Sequence, residues 1–330
     1  MDMTIAYLGI DISKDKFHVA LKLAGAKAKN APKQKVFRND VSGCEELLKW
    51  IHQQGVEAQR LWACLEATST YGELVAETLY NQGYQVSVVN PARVKYFSGS
   101  ELRRVKTDKA DAQLILRFCC AHELDLWKPL APEIKQFQEL MRRLEALQDL
   151  RQQEVNRLET ASSAMTESIQ TIVQSLELEI KRIESLIKDH LRLHPQLKEQ
   201  QALLTSIPGI GEKTANVLLT EIPDWTVFES AKQLAAYAGL NPEERTSGTS
   251  IKGKVRLSCK GNPRLRKALY LPAVTAKTHN PLIAVFCLRL LDRGKSKMQV
   301  IGAAMRKLLH LAFGVMKSGN VFDPNHLNPA

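Results

Sequence analysis

The sequence predicts an α/β domain followed by long helices and then a mostly helical C-terminal part. Three observations carry this. Residues 1–125 alternate strand and helix signals, residues 126–198 are almost free of Gly and Pro, and the remainder returns to helices separated by loops. These textures divide the chain into segments 1–125, 126–198 and 199–330. A chain of 330 residues is long enough for that many cores.

In the first segment "IAYLGIDI", "KFHVALKL" and "KQKVFRN" read as three successive strands, the first two rich in β-branched and aromatic residues. A helix follows from about Val41 to Gln54. "RLWACLEA" is a fourth strand, "YGELVAETLYNQG" a helix closed by Gly83, and "YQVSVVN" a fifth strand ended by Pro91. With a last helix near Lys109, the order β-β-β-α-β-α-β-α predicts a mixed sheet with helices packed on it.

In the second segment Met165, Ile169, Ile172, Leu176, Ile180, Ile183 and Ile187 recur at three- and four-residue steps with charges between them. That spacing predicts a coiled-coil-like seam, made either within the chain or between subunits, with "ASSAM" at 161–165 as the place where the first long helix ends. In the third, "LLTSIPGIGEKTANVLLTEI" joins two apolar helical stretches through Pro208-Gly209-Ile210-Gly211. Such a turn exposes backbone N–H groups beside Lys213 and fits the helix-hairpin-helix pattern for DNA phosphate contact. Hairpins of this kind can also simply pack protein.

Charge narrows the partners. Residues 231–330 hold 17 Lys/Arg against 4 Asp/Glu, while the other 230 residues hold 29 against 31, so the net charge of +11 is concentrated at one end. Interleaved with apolar residues, it indicates a folded surface for a polyanion, nucleic acid above all. Six cysteines without CxxC pairs or His partners argue against zinc and for reduced thiols in a cytoplasmic protein. The start "MDMTIAYLGID" is unlike a signal peptide, and no apolar run reaches 18 residues, so no membrane span is expected.

The candidate chemistry is acidic. Asp11 ends the first apolar strand and Glu66 the fourth, where open α/β sheets commonly place their sites. In "VKTDKADAQLI", Asp108 and Asp111 stand three residues apart at a helix start. Read locally they are an N-cap and its N3 acid. The same spacing also puts both carboxylates on one helix face, about 5–6 Å apart at Cβ, where they can share a hard divalent cation. Four acids would hold one or two Mg²⁺ ions against phosphates, with Arg103, Arg104, Lys106 and Lys109 favouring an anionic substrate. A second candidate is the polar stretch 246–250 leading into Lys252, Lys254, Arg256 and Lys260. By composition it is a loop that grips phosphate, and a nucleophilic serine is the lesser reading because no His or Asp partner lies nearby. A sugar-kinase-like ATPase is set aside, because the Gly- and Thr-rich phosphate loop expected after Asp11 is absent.

With those residues in view, "YLGIDISKDKFHVAL", "CLEATSTYGELVAETLYNQGYQVSVVNPARVKYFSGSELRRVKTDKADAQLI", "LLTSIPGIGEKTANVLL", "LAAYAGLNPEERTSGTSIKG" and "LRKALYLPAV" resemble the DEDD insertion-sequence transposases. That family includes the bridge-RNA-guided recombinases and is related to the pilin-gene invertases. The resemblance implies an RNase H-like N-terminal domain, a coiled-coil insertion and a C-terminal transposase domain. It puts the four family acids on Asp11, Glu66, Asp108 and Asp111 with Mg²⁺ as cofactor, and the nucleophilic serine on Ser247, with Ser250 its nearest rival. Thr246 stands where relatives can carry an acid. The resemblance further implies nucleic-acid contacts from Gly209, Gly211, Lys213, Arg245, Lys252, Lys254, Arg256 and Lys260. Donor and target DNA, a noncoding bridge RNA and a homo-oligomer (a dimer, or a tetramer on two DNAs) are the implied partners, in a bacterial cytoplasm. Two alternatives stay open: a junction-resolvase-like nuclease using the same acids with water, and a DNA-binding protein without catalysis.

Overall fold

The computed structural model describes residues 6–23, 31–67, 70–100, 108–243, 246–247, 251–252, 256–258 and 260–325. The chain forms two compact units, Met1–Pro129 and Leu130–Ala330.

The first unit is built on a five-stranded sheet of β1 (Ala6–Ile12), β2 (Lys16–Leu23), β3 (Lys33–Arg38), β4 (Leu61–Glu66) and β5 (Gln85–Val89), in the order β3-β2-β1-β4-β5. The first three strands pair antiparallel, and β1, β4 and β5 run parallel. Four helices cover it: α1 (Val41–Gln53), α2 (Glu73–Asn81), α3 (Pro91–Ser100) and α4 (Asp108–Ala121). Both faces are buried, which is why the strands are nearly continuous in apolar residues. Leu8, Ile10, Val19, Leu21 and Leu65 form one core with Leu47 and Ile51 of α1 and Leu79 of α2. On the other face Cys64 packs with Ile115, Phe118 and Cys119 of α4, and Ala20 with Ala112 and Leu116.

The predicted strand and helix order holds, with one more helix than expected. Pro91, read as the end of β5, also opens α3. The Asn90 side chain accepts the Ala92 N–H (2.8 Å), and proline's missing N–H costs nothing at a first helical position.

In the second unit α5 (Pro132–Leu158) and α6 (Ser163–Leu193) are joined by four residues and fold back on each other. Phe137, Met141, Leu144 and Leu147 meet Ile183, Ile187 and Leu191 in the core. Farther out the apolar row opens to solvent: Ile180 and Leu176 are half-buried, whereas Ile172 and Met165 are 45% and 53% exposed. Arg151 pairs with Glu177 at 2.6 Å between them.

The base of this hairpin shares its core with α7 (Pro195–Thr205), α8 (Glu212–Glu221), α9 (Ala231–Tyr237), α10 (Pro263–His279), α11 (Pro281–Asp292) and α12 (Lys297–Ser318). A Ser296–Gln299 capping box starts α12, and Gly319, at φ 68°, closes it. Two short antiparallel pairs interrupt the helices: β6 (Pro242–Glu243) with β9 (Arg256–Leu257), and β7 (Thr246–Ser247) with β8 (Ile251–Lys252). Among the described residues no helix is long and apolar enough to cross a membrane, and Cys44, Cys64, Cys119, Cys120 and Cys287 are free thiols.

His310 of α12 makes this unit acid-sensitive. Its Nε2 is buried without a hydrogen-bond partner. Burial, then Arg306, Lys307 and Lys232, lower its pKa to about 4. A depressed histidine contributes stability that is complete above the unfolded value near 6.5 and drains away as pH falls toward 4. His310→Gln removes that term, so its urea midpoint should depend less on pH between 6.5 and 4 than the wild type's. An unchanged pH profile would count against the buried neutral imidazole.

Candidate active site

The acid site is assembled by register. Ile10 of β1 pairs with Leu65 of β4 in a parallel ladder, so the next residues along each strand, Asp11 and Glu66, lie side by side at the strand ends. Asp111 arrives from above, in the first turn of α4. What brings α4 close enough is Gly9, two residues before Asp11 on the same sheet face. A Cβ there would overlap the backbone N of Leu116 and the carbonyl O of Ala112, and would stand 2.7 Å from Leu116 Cα. Sequence reading passed over Gly9, although a glycine inside a strand pattern signals close backbone approach.

The three carboxylates feel one another. Glu66 has its pKa raised, first by burial and then by the negative charges of Asp11 and Asp111. Asp108 is the first residue of α4, one turn before Asp111, and its side chain lies outside the described residues. Among the described residues no three potential ligands stand close enough together to enclose an ion. The shared field on Glu66 still marks a site where a cation would relieve repulsion. An all-oxygen donor set fits a hard divalent ion.

The basic candidates divide. Gly209 has φ +106°, and a Cβ on it would stand 2.6 Å from Ala276 Cβ and 3.0 Å from the Pro272 carbonyl O. It is therefore required by packing of the α7–α8 turn against α10, whatever else the turn does. Gly211 is open on its Cβ side and caps α8 without a side-chain bond, leaving the first N–H groups of that helix to other acceptors. Lys213 donates to Gln148 Oε1 at 2.7 Å, so a phosphate would have to displace that amide. Lys260 is exposed and pairs with Glu243 at 3.0 Å. On α10, Lys267 is held by Glu145 (3.0 Å) and Arg264 lies near Glu145 and Glu221 (3.6 and 3.5 Å).

Ser247 sits in β7, opposite Ile251 of β8. The stretch read as a loop is thus paired on both sides of residues 248–250, with β-branched Thr246 and Ile251 suited to that pairing. Lys252 and Arg256 lie in β8 and β9, and Lys109 in α4. The side chains of Lys109, Ser247, Lys252 and Arg256 lie outside the described residues, as do Arg103, Arg104, Lys106, Arg245, Ser250 and Lys254 altogether.

A strand-end pair of acids with a third on the helix above, joined to a basic helical unit, belongs to enzymes that act on nucleic-acid phosphates. Comparison with known proteins makes the class specific. The DEDD IS110 transposase model matches residues 8–165, and the model described as "Transposase IS116/IS110/IS902 family" matches residues 201–287. The "Pilin gene-inverting protein" of Moraxella bovis is 33% identical over 322 residues, covering 97% of this chain and 98% of the relative. Its counterpart in Moraxella lacunata is 32% identical over the same shares. The "Insertion element IS110 uncharacterized 43.6 kDa protein" of Streptomyces coelicolor is 34% identical over 143 residues, which is 43% of this chain and 34% of the relative. The chain belongs to the IS116/IS110/IS902 transposase family and is a DNA transposase/recombinase.

Proposed function

We propose that the protein is a site-specific recombinase of an insertion sequence that cuts and rejoins DNA through a phosphoserine at Ser247. Asp11, Glu66, Asp108 and Asp111 would hold Mg²⁺, and a noncoding bridge RNA would guide it. The observation that carries this reading is the meeting of Asp11, Glu66 and Asp111 at one end of a mixed sheet. The strand order and the single antiparallel flank are those of an RNase H-like domain, which is how we read the first unit.

The chemistry is transesterification. The Ser247 hydroxyl attacks phosphorus, its proton leaves, and the bond from phosphorus to one deoxyribose oxygen breaks, so that sugar departs as an alcohol. A second sugar hydroxyl then displaces serine, and the number of phosphodiester bonds is conserved. Mg²⁺, when bound, supplies charge stabilisation on the phosphoryl oxygens. The four acids position that charge, and the α7–α8 turn, read as a helix-hairpin-helix, offers the free N–H groups beyond Gly211 to the DNA backbone. Base pairing by the RNA would carry the sequence choice, and Lys252, Lys254, Arg256 and Lys260 would meet backbone.

The protein is further read as a homo-oligomer. Ile172 and Met165 present an exposed apolar row on α6, and residues 146–180 carry 6 acids against 2 basic residues. An acidic, apolar tip on a basic protein suits a protein contact better than a nucleic-acid one, as a coiled-coil contact between subunits requires.

The test is a denaturing gel of protein, Mg²⁺, RNA transcribed from the noncoding DNA beside the gene, and the DNA flanking it. A covalent protein–DNA species should form, survive in Ser250→Ala and vanish in Ser247→Ala. Cleavage that persists without an adduct in Ser247→Ala would replace this reading with water-dependent nuclease chemistry at the same acids.

A further inference from the structure

Besides the acids, one more polar side chain belongs to this row of the sheet. Asp11 pairs with His18 across the antiparallel β1–β2 ladder, so the two side chains share a face with Cβ atoms about 4.5–5.5 Å apart. That face is the one under α4. Two residues back along β1 and two onward along β2, Gly9 pairs with Ala20, and Ala20 packs against Ala112 and Leu116 of α4. Following the register across the sheet gives Val36, His18, Asp11, Glu66 and Val89 in successive strands. His18 is only 9% exposed. Its neighbour on the outer side, Val36, offers no hydrogen-bonding side chain, and its neighbour on the inner side is the Asp11 carboxylate.

Burying an imidazole is costly unless its N–H finds an acceptor. Carboxylates that bind metal are in turn oriented by hydrogen-bonding partners behind them. We infer that His18 is a positioning residue for the acid cluster: an imidazole N–H directed at the Asp11 carboxylate turns that side chain toward Glu66 and Asp111 and thereby sets the cluster's affinity for a divalent cation. It acts through Asp11 and touches neither DNA nor the ion. The inference rests on the reading of the acids as cation ligands.

Mn²⁺ binding to the full chain, followed by electron paramagnetic resonance in the absence of DNA, tests it without relying on catalysis. His18→Leu keeps the bulk and removes the donor, whereas His18→Asn keeps a donor. Thermal unfolding in metal-free buffer confirms that each variant is folded at the measuring temperature. Affinity in His18→Leu should fall about 10- to 100-fold, the cost typical of removing an outer-shell partner, while His18→Asn stays near wild type. Wild-type affinity in His18→Leu, or an equal loss in both variants, overturns the positioning role. Asp11→Asn, run alongside, separates the two levels. If it leaves Mn²⁺ binding unchanged, the acid-cluster reading falls and His18 falls with it. If it abolishes binding while His18→Leu does not weaken it, only His18 is wrong.

Discussion

Asp111→Asn should reduce DNA strand cleavage by at least about 10²- to 10³-fold, the loss seen when one group of an electrostatic site is removed, with DNA binding kept. The substitution is nearly isosteric and leaves the first turn of α4 intact. Two opposing effects on stability leave the unfolding midpoint almost unmoved in metal-free buffer. Loss of an acid from the first turn costs about 0.3–1 kcal/mol in helix-dipole terms. Against that, Glu66, whose pKa is raised partly by Asp111, keeps its charge more easily once that neighbour is neutral. A purely structural Asp111, stabilising the helix start alone, makes the opposite forecast: normal cleavage and a lowered midpoint. Measuring cleavage rate and thermal midpoint on the same preparation decides between them.

Gly9→Ala should be among the most damaging single-methyl changes in the first unit. The added carbon meets backbone atoms of Ala112 and Leu116, which cannot rotate away as a side-chain tip could. Overpacking of this kind costs about 1–3 kcal/mol, more than the roughly 0.5–1 kcal/mol by which alanine is favoured over glycine in a strand. Relief comes only by lifting α4 from the sheet, and α4 carries Asp108 and Asp111. Cleavage should therefore fall further than the denaturation midpoint alone accounts for. A variant as active and as stable as wild type would mean that the helix does not sit where Gly9 places it.

The strands and the positions of Asp11 and Glu66 were legible in the sequence, because an apolar run ending in an acid records both the strand and its exit from the sheet. That the two are neighbours followed only from register, which pairs Ile10 with Leu65 and is not written locally in either strand. Pro91 was legible as a break but not as a beginning, since the same residue serves both. The pairings of β6 to β9 were not foreseen; two-residue strands are set by what surrounds them rather than by propensity. Gly209 was singled out for phosphate, and the structure shows a different necessity, contact with Pro272 and Ala276. That requirement comes from a helix more than sixty residues away in sequence. Lys213 shows the same limit: its partner Gln148 lies on α5.

The hairpin of α5 and α6 has a further consequence. Its root is anchored by Phe137, Ile187 and Leu191, while its end holds Ile172 and Met165 in water. Opening free energies in proteins follow local burial, so amide protection should fade from the root outward in steps of a helical turn. The outer turns can then fray without disturbing the core, and whatever settles over Ile172 and Met165 must first bring them to order. Binding there would carry the entropy cost of folding those turns. That cost keeps the contact weak for isolated molecules and strengthens it once neighbours are held together on the same nucleic acid.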